Sequence, residues 1–391
     1  MRNERARTAP TRPSRPRRGQ RRRSGGKRGG PSVTSTIMIT TGGTGGHIFP
    51  GLAVAAELLA RGARVFWLGT SDGMESRLVP KHGVDVEGVA FGSVRGKGVK
   101  RLLLGPYAIA NACRQAWGVI ARRAPGLVLG FGGFASFPGA LMGVARNLPL
   151  VIHNLDARPG LANRVLRHGA DRVLTGFPGV LGEGRDRRVE WVGNPLRAAI
   201  EALPPPQERY AGRSGPLRLL VVGGSLGALA LNETLPRALA LLPAAARPLV
   251  THQSGEKHID ALRSNYAREG VEAECVAFID DMASRYATAD LVVCRSGATT
   301  VAELAAVGVA SLLVPFPRAA DDHQVDNAQQ LAQRGAGEMW LQRDFTPQRL
   351  AAWLQALERP RLAAMAAAAR DLRKAGATQR VADVCLELAK P

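Results

Sequence analysis

Short apolar runs rich in β-branched residues alternate with longer amphipathic stretches along most of the chain. Ile37-Met38-Ile39-Thr40-Thr41 is one such run and Leu219-Leu220-Val221-Val222 is another. The first half predicts strands near 37–41, 65–68, 127–129, 150–152, 172–174 and 191–192. The second half predicts them near 217–222, 248–251, 275–278, 290–293, 310–314 and 338–341. Strands that alternate with helical patterns indicate an α/β chain with doubly wound parallel sheets. The segment from Gly193-Asn194-Pro195-Leu196-Arg197 to Gly215 contains Pro204-Pro205-Pro206 and has the composition of a linker. The expected division is therefore a first domain over 36–194 and a second over 195–391, the latter closing with an Ala-rich helix over about 361–385.

Each half opens with the same kind of turn. Gly42-Gly43-Thr44-Gly45-Gly46-His47 follows the first strand, and Gly223-Gly224-Ser225-Leu226-Gly227 follows the first strand of the second half. A strand, a glycine turn and a helix start bring free backbone N–H groups to the carboxyl edge of a sheet, where anions and polar ligands bind. Two such units suggest two Rossmann-like domains facing each other across a cleft. Neither turn is a dinucleotide fingerprint, because position 48 is Ile48 and the second strand, Arg64-Val65-Phe66-Trp67-Leu68, ends without an acid for a ribose. No G-x-x-x-x-G-K-[ST] loop occurs.

The net charge is +21, and it is unevenly spread. Residues 1–36 hold twelve Arg or Lys against the single acid Glu4, in a segment rich in Pro, Gly and Ser. Residues 1–35 are expected to be a disordered basic tail, either a non-essential extension or an attractant for anionic lipid or nucleic acid. No apolar stretch follows these charges, so a secretory leader is not expected. Cys113, Cys275, Cys294 and Cys385 stand apart, with no C-x-x-C pair for a metal or redox site. The uncharged stretch from Pro125 to Ala145 is long enough to cross a bilayer, but its glycines and prolines read better as a strand, a loop and a helix from Pro138.

Four local groupings carry chemistry. In Cys294-Arg295-Ser296-Gly297-Ala298-Thr299-Thr300-Val301-Ala302-Glu303 a strand ends and a helix begins, so the amides of Ala298, Thr299 and Thr300 suit a diphosphate. Glu303, further along that helix, can accept both hydroxyls of a ribose or can be a surface acid. His323-Gln324-Val325-Asp326-Asn327 offers imidazole and amide groups to sugar hydroxyls, or simply caps a helix. His47 stands at a helix start, where the dipole favours a neutral imidazole fit to be a base, or it caps the helix. Arg95-Gly96-Lys97-Gly98-Val99-Lys100-Arg101 precedes Leu102-Leu103-Leu104 and suits an anionic membrane surface, or is an ordinary loop. No D-x-D run occurs, so a sugar transferase of this sequence would neutralise its diphosphate with helix dipoles and an arginine.

In its motifs the chain resembles the bacterial N-acetylglucosaminyltransferases that make lipid II for peptidoglycan, which have the two-domain GT-B fold. The resemblance rests on an ordered set: Gly42 to Gly51, Arg95-Gly96-Lys97-Gly98, Gly130-Phe131-Gly132-Gly133-Phe134, Val192-Gly193-Asn194-Pro195, Gly223 to Ala228, His252-Gln253-Ser254-Gly255, Phe278-Ile279-Asp280-Asp281-Met282 and Arg295-Ser296-Gly297-Ala298. It covers everything but the basic tail. It implies an inverting transfer from UDP-N-acetylglucosamine to the 4-hydroxyl of an undecaprenyl-diphosphate-linked muramoyl-pentapeptide, at the cytoplasmic face of the inner membrane. No cofactor, metal or nucleic acid is expected. On the donor side it implies that Ile279 holds the uracil and Glu303 the ribose. Arg197, Ser225 and the 298–300 amides take the diphosphate, and Asn232, His323 and Gln324 read the sugar. On the acceptor side it implies Thr44, Gly45, Gly46, His47, Gly132, Gly133 and Asp156, with His47 or Asp156 as the base. Where the family usually has His-Glu-Gln-Asn, this chain has His153-Asn154-Leu155-Asp156, and His323 replaces a common Gln. The rival readings are another GT-B enzyme acting on a lipid or nucleotide sugar, and a polyanion binder suggested by the charge.

Overall fold

A computed structural model describes residues 35–43, 45–91, 99–224, 227–317 and 322–390, with the backbone alone for 99–105. Residues 1–34, Thr44, the Arg95-Gly96-Lys97-Gly98 motif and Ser225 lie outside the described residues. The first half runs β1 (Thr36–Thr40), α1 (Gly45–Ala60), β2 (Arg64–Thr70), α2 (Met74–Leu78), β3 (Asp85–Val89), α3 (Val99–Arg123), β4 (Leu127–Gly130), α4 (Phe137–Ala145), β5 (Leu150–Asn154), α5 (Leu161–Leu166), β6 (Arg172–Thr175) and β7 (Val189–Trp191). Short helices α6 (Ala198–Glu201) and α7 (Pro206–Tyr210) lead into the second half. That half runs β8 (Arg218–Val222), α8 (Leu229–Ala240), β9 (Leu249–Gln253), α9 (Ile259–Glu269), β10 (Glu274–Val276), α10 (Met282–Thr288), β11 (Leu291–Cys294), α11 (Ala298–Val307), β12 (Ala310–Leu313), α12 (His323–Ala332) and β13 (Glu338–Met339). Helices α13 (Pro347–Gln355), α14 (Arg359–Asp371) and α15 (Ala377–Leu388) close the chain.

The strands form two parallel sheets, in the orders β3-β2-β1-β4-β5-β6-β7 and β10-β9-β8-β11-β12-β13. In each, the order reverses beside the first strand, between β1 and β4 and between β8 and β11. The loops after those strands diverge there and leave a crevice at the carboxyl edge. The glycine residues that follow β1, β4, β8 and β11 lie at these two reversals. The central strands are near-continuous apolar runs because helices cover both faces. Ile37, Met38, Ile39, Leu127, Val128 and Leu129 are fully buried in the first sheet, as are Val221, Val292 and Val293 in the second.

Two elements depart from the sequence pattern. β3 was not expected: Asp85-Val86-Glu87-Gly88-Val89 is an edge strand, with acids where a central strand would be apolar. The expected final helix is two helices, α14 and α15, parted at Gly376, whose φ of 75° lets the chain turn back. That turn carries α15 away from the second sheet. It packs along α1 of the first half through an apolar face that includes Val381, Val384 and Cys385. Arg61 pairs with Asp383 at 2.5 Å, and Arg380 with Glu190 at 2.7 Å.

Candidate functional site

The first half contributes three loops to the cleft. The turn after β1 hands the chain to α1, whose opening residues Gly45, Gly46 and His47 have no intrahelical partner for their N–H groups. The loop after β4 holds Gly132 and Gly133 at φ of 77° and 76°, a region that side chains avoid. A Cβ on Gly133 would lie 3.8 Å from the His47 ring, so the two glycine loops meet at that imidazole. The loop after β5 carries Asp156. Asn154 Nδ2 closes this turn by donating to the Asp156 carbonyl at 2.6 Å, and its Oδ1 accepts from Asn163 at 3.0 Å. Asn154 thus shapes the loop that presents Asp156. Burial pushes the His47 imidazole below its ordinary value, the Asp156 carboxylate pulls it back up, and His323 adds a smaller downward push. These three groups form one electrostatic cluster.

The second half presents the start of α11. Gly297 caps it in extended conformation, and Thr299, Thr300 and Glu303 face a cavity of about 100 Å³. Ile279, Phe278, Met282 and Tyr286 line the same cavity from the β10–β11 connection, and Arg197, Gly224 and Gln253 complete that side. Glu303 is buried and both its oxygens are used: Arg197 Nη2 lies 3.1 Å from Oε1, and the Tyr286 hydroxyl donates to Oε2 at 3.1 Å. Burial raises the Glu303 carboxyl, while Arg197 and Tyr286 pull it down. The Arg197 guanidinium also stacks 5.2 Å from the centre of the Phe49 ring.

The halves touch at defined points. The Thr299 hydroxyl donates to the Gly46 carbonyl at 2.6 Å. Asn327 Nδ2 donates to Asp156 Oδ1 at 2.9 Å, and Asn327 Oδ1 accepts the Ala157 N–H at 2.8 Å. Arg158 pairs with Asp326 at 2.6 Å. Behind the cleft, His153 Nε2 lies 2.9 Å from the Gly193 carbonyl, and Asn194 Nδ2 donates to the Leu155 carbonyl at 3.0 Å. Burial holds His153 neutral by taking its pKa down to about 4. The end of β5 is thereby tied to the connection between the halves.

Several sequence expectations shift. Gly45 and Gly46, expected on the acceptor side, line the cavity that also holds Ile279, Thr299, Thr300 and Glu303. The reason is that α1 and α11 start at opposing switch points, so their first turns meet. Asn232, expected to read sugar hydroxyls, is buried outside the lining: Oδ1 faces His252 Nε2 at 3.1 Å, and Nδ2 donates to the Ser254 carbonyl at 3.4 Å. Gln324 also stands outside the lining: its side chain accepts the Phe316 N–H at 2.9 Å and its carbonyl accepts the Ser296 hydroxyl at 2.7 Å. Phe49, Gln253, Phe278 and Tyr286 line the cavity with no role given them by the sequence, although the first three stand within its motifs. Asn327, one of the amides offered to sugar hydroxyls, instead binds Asp156 and Ala157. The donor and acceptor roles of Thr44 and Ser225 fall outside the described residues.

A crevice lined at both switch points by glycine turns and helix starts, with one arginine and one buried acid at its floor, defines the GT-B class of glycosyltransferases. The chain belongs to glycosyltransferase family 28: residues 37–175 match that family's N-terminal domain and 218–383 its C-terminal domain. Among its relatives, a Ralstonia nicotianae protein is 55% identical over 91% of this chain and 97% of its own length. An Aromatoleum aromaticum protein is 56% identical over 90% of this chain and 98% of its own. Both are named UDP-N-acetylglucosamine–N-acetylmuramyl-(pentapeptide) pyrophosphoryl-undecaprenol N-acetylglucosamine transferase. The crystal structure of Acinetobacter baumannii MurG superposes with a TM-score of 0.73 at 34% identity, covering 90% of this chain and 99% of that one. The glycosyltransferase of kitacinnamycin shares the fold alone, at 19% identity and a TM-score of 0.67.

Proposed function

We propose that this chain transfers N-acetylglucosamine from UDP-N-acetylglucosamine to the muramoyl 4-hydroxyl of lipid I, the undecaprenyl-diphosphate-linked muramoyl-pentapeptide, and so makes lipid II. The observation that carries the reading is the meeting of the first turns of α1 and α11 at one cavity, in a chain more than half identical to named transferases over nine-tenths of its length. A nucleotide sugar is far larger than about 100 Å³, since ligand pockets of that class run from roughly 300 Å³ upwards. The donor therefore extends beyond this cavity, or the halves part to admit it.

The uracil lies against Ile279 and Phe278, and the ribose hydroxyls take Glu303 from Arg197 and Tyr286. Arg197, released from Glu303, turns to the diphosphate, which also meets the amides of Ala298, Thr299 and Thr300. A helix start carries about half a positive charge, so the leaving UDP is stabilised as its charge develops. The acceptor hydroxyl approaches from the Gly132–Gly133 side. Neutral His47 takes its proton, and Asp156, held by Asn327, steadies the imidazolium that results. One displacement at the anomeric carbon inverts it and gives a β-linkage. His323 and Gln324 border the sugar.

The acceptor is lipid-linked, and the first half has a surface suited to it. Tyr107 and Leu161 are 72% and 73% exposed, and Trp117 and Val165 are also exposed. The Arg146 guanidinium sits 4.1 Å from the centre of the Trp117 ring. Apolar and aromatic groups beside arginines suit peripheral contact with an anionic membrane on its cytoplasmic face. Among the described residues no helix is long and apolar enough to cross a membrane. Incubation with UDP-N-acetylglucosamine and a lipid I analogue tests the reading. The expected product is the analogue bearing one added N-acetylhexosamine in β-linkage by NMR. An unmodified analogue, or an α-linkage, overturns it.

A further inference from the structure

The cleft is shaped by a carboxylate that does not line its cavity. Glu75, the second residue of α2, is fully buried. Its Oε1 accepts both the N–H and the hydroxyl of Thr70, each at 2.7 Å, and its Oε2 accepts the Gly43 N–H at 3.4 Å. A Cβ added at Gly42, Gly69 or Gly73 would collide with this side chain, so glycines from two loops and the end of β2 clear the space it fills. Among the described residues no cation lies within 4.0 Å of it. A buried acid met by neutral donors alone is costly to fold around, and it orders whatever supplies those donors. Here the donors are the end of β2 and the turn between β1 and α1. Gly45, Gly46 and His47 come next in the chain.

We propose that Glu75 is a positioning residue for the transfer, holding the Gly42–Gly43 turn so that the Gly46 carbonyl and the His47 imidazole meet the second half in register. This rests on the proposed role of the cleft. Glu75→Gln keeps the shape and can still accept from Thr70, but its amide then faces the Gly43 N–H, donor against donor. The turn loses its tether while the packing stays. A displacement of about 1 Å at the reacting groups costs on the order of 100-fold in rate.

The test pairs kinetics with hydrogen–deuterium exchange on the full chain. Glu75→Gln should lower kcat about 10- to 100-fold, with exchange rising in residues 41–49 and unchanged in β4 and β5. Glu75→Asp keeps the charge on a shorter arm and should fall between the two in both readouts. It carries the same test if the Gln variant does not fold. Wild-type kcat with wild-type exchange at 41–49 overturns the proposal, and so does exchange raised evenly through the whole first half, the mark of a merely structural acid. Exchange needs no turnover, so an inactive wild type would fail the transfer reading and leave the Glu75 result standing.

Discussion

The Thr299 hydroxyl and the Gly46 carbonyl meet at 2.6 Å and join the first turn of α11 to the first turn of α1. Both helices begin at the point where their sheet reverses strand order, so this single bond spans the two switch points. Thr299→Val removes it with little change in volume. A hydrogen bond of this kind contributes about 0.5–1.5 kcal/mol, or about 2- to 12-fold. The expected outcome is a loss of that size in kcat/KM for the donor, measured at saturating acceptor. An unchanged value would mean the contact plays no part in closure.

Glu303 has two separable effects. Glu303→Ala should raise the donor KM strongly, because each charge-assisted hydrogen bond to a buried ribose is worth about 1.5–3 kcal/mol. Steady-state kinetics with varied donor check this, and an unchanged KM removes Glu303 from the donor site. Its folded carboxyl is raised by burial, so the stability it supports is complete below the unfolded value of about 4.3 and is lost as pH rises through the folded one. Above the folded value the desolvated carboxylate opposes folding. Glu303→Gln should therefore melt no lower than wild type at neutral pH, with any advantage shrinking as pH falls towards 4. A Gln variant that melts lower at neutral pH would contradict the sign.

His47 and Asp156 are told apart by the acid limb of the pH–rate profile. If His47 is the base, the rate falls as pH drops through its lowered pKa, so the limb lies below 6.5. His47→Ala should cut kcat by about 10²–10⁴ and remove the limb. Asp156 raises the His47 value, so Asp156→Asn should move the limb to lower pH. His323 lowers it, so His323→Gln should move the limb up. A limb that vanishes in Asp156→Asn and survives in His47→Ala assigns the base to Asp156 instead.

If Arg197 and the start of α11 bind the diphosphate as proposed, turnover does not require an added divalent ion. Activity should survive EDTA at a concentration that removes free Mg²⁺ and Mn²⁺. Loss of activity on chelation, restored by either ion, would reject this division of charge.

Much of this architecture was legible in the chain because central parallel strands are apolar on both faces and the strand that opens each half is followed by a glycine turn. Ile37 to Thr41 and Leu219 to Val222 carry both signals, and Gly297-Ala298 marks the start of α11. β3 was hidden because an edge strand tolerates Asp85 and Glu87. The break at Gly376 was hidden inside an Ala-rich run whose helical propensity is high on both sides. In the site, Glu303 could be read from its position after a strand and Ile279 only through the family resemblance, whereas the pairing of Asn327 with Asp156 depends on how two halves close. Glu75 could not be read at all. It sits in a stretch of ordinary helical composition, and its meaning comes only from the glycines that surround it in space.

The central claim is that one cleft joins a nucleotide-sugar donor to a lipid-linked acceptor. It is tested most directly by release of UDP from UDP-N-acetylglucosamine, measured with and without a lipid I analogue. Release should be slow from donor alone and rise strongly and saturably on adding the analogue, with UDP and disaccharide formed in equal amounts. Release that ignores the analogue, or no release in its presence, would contradict it.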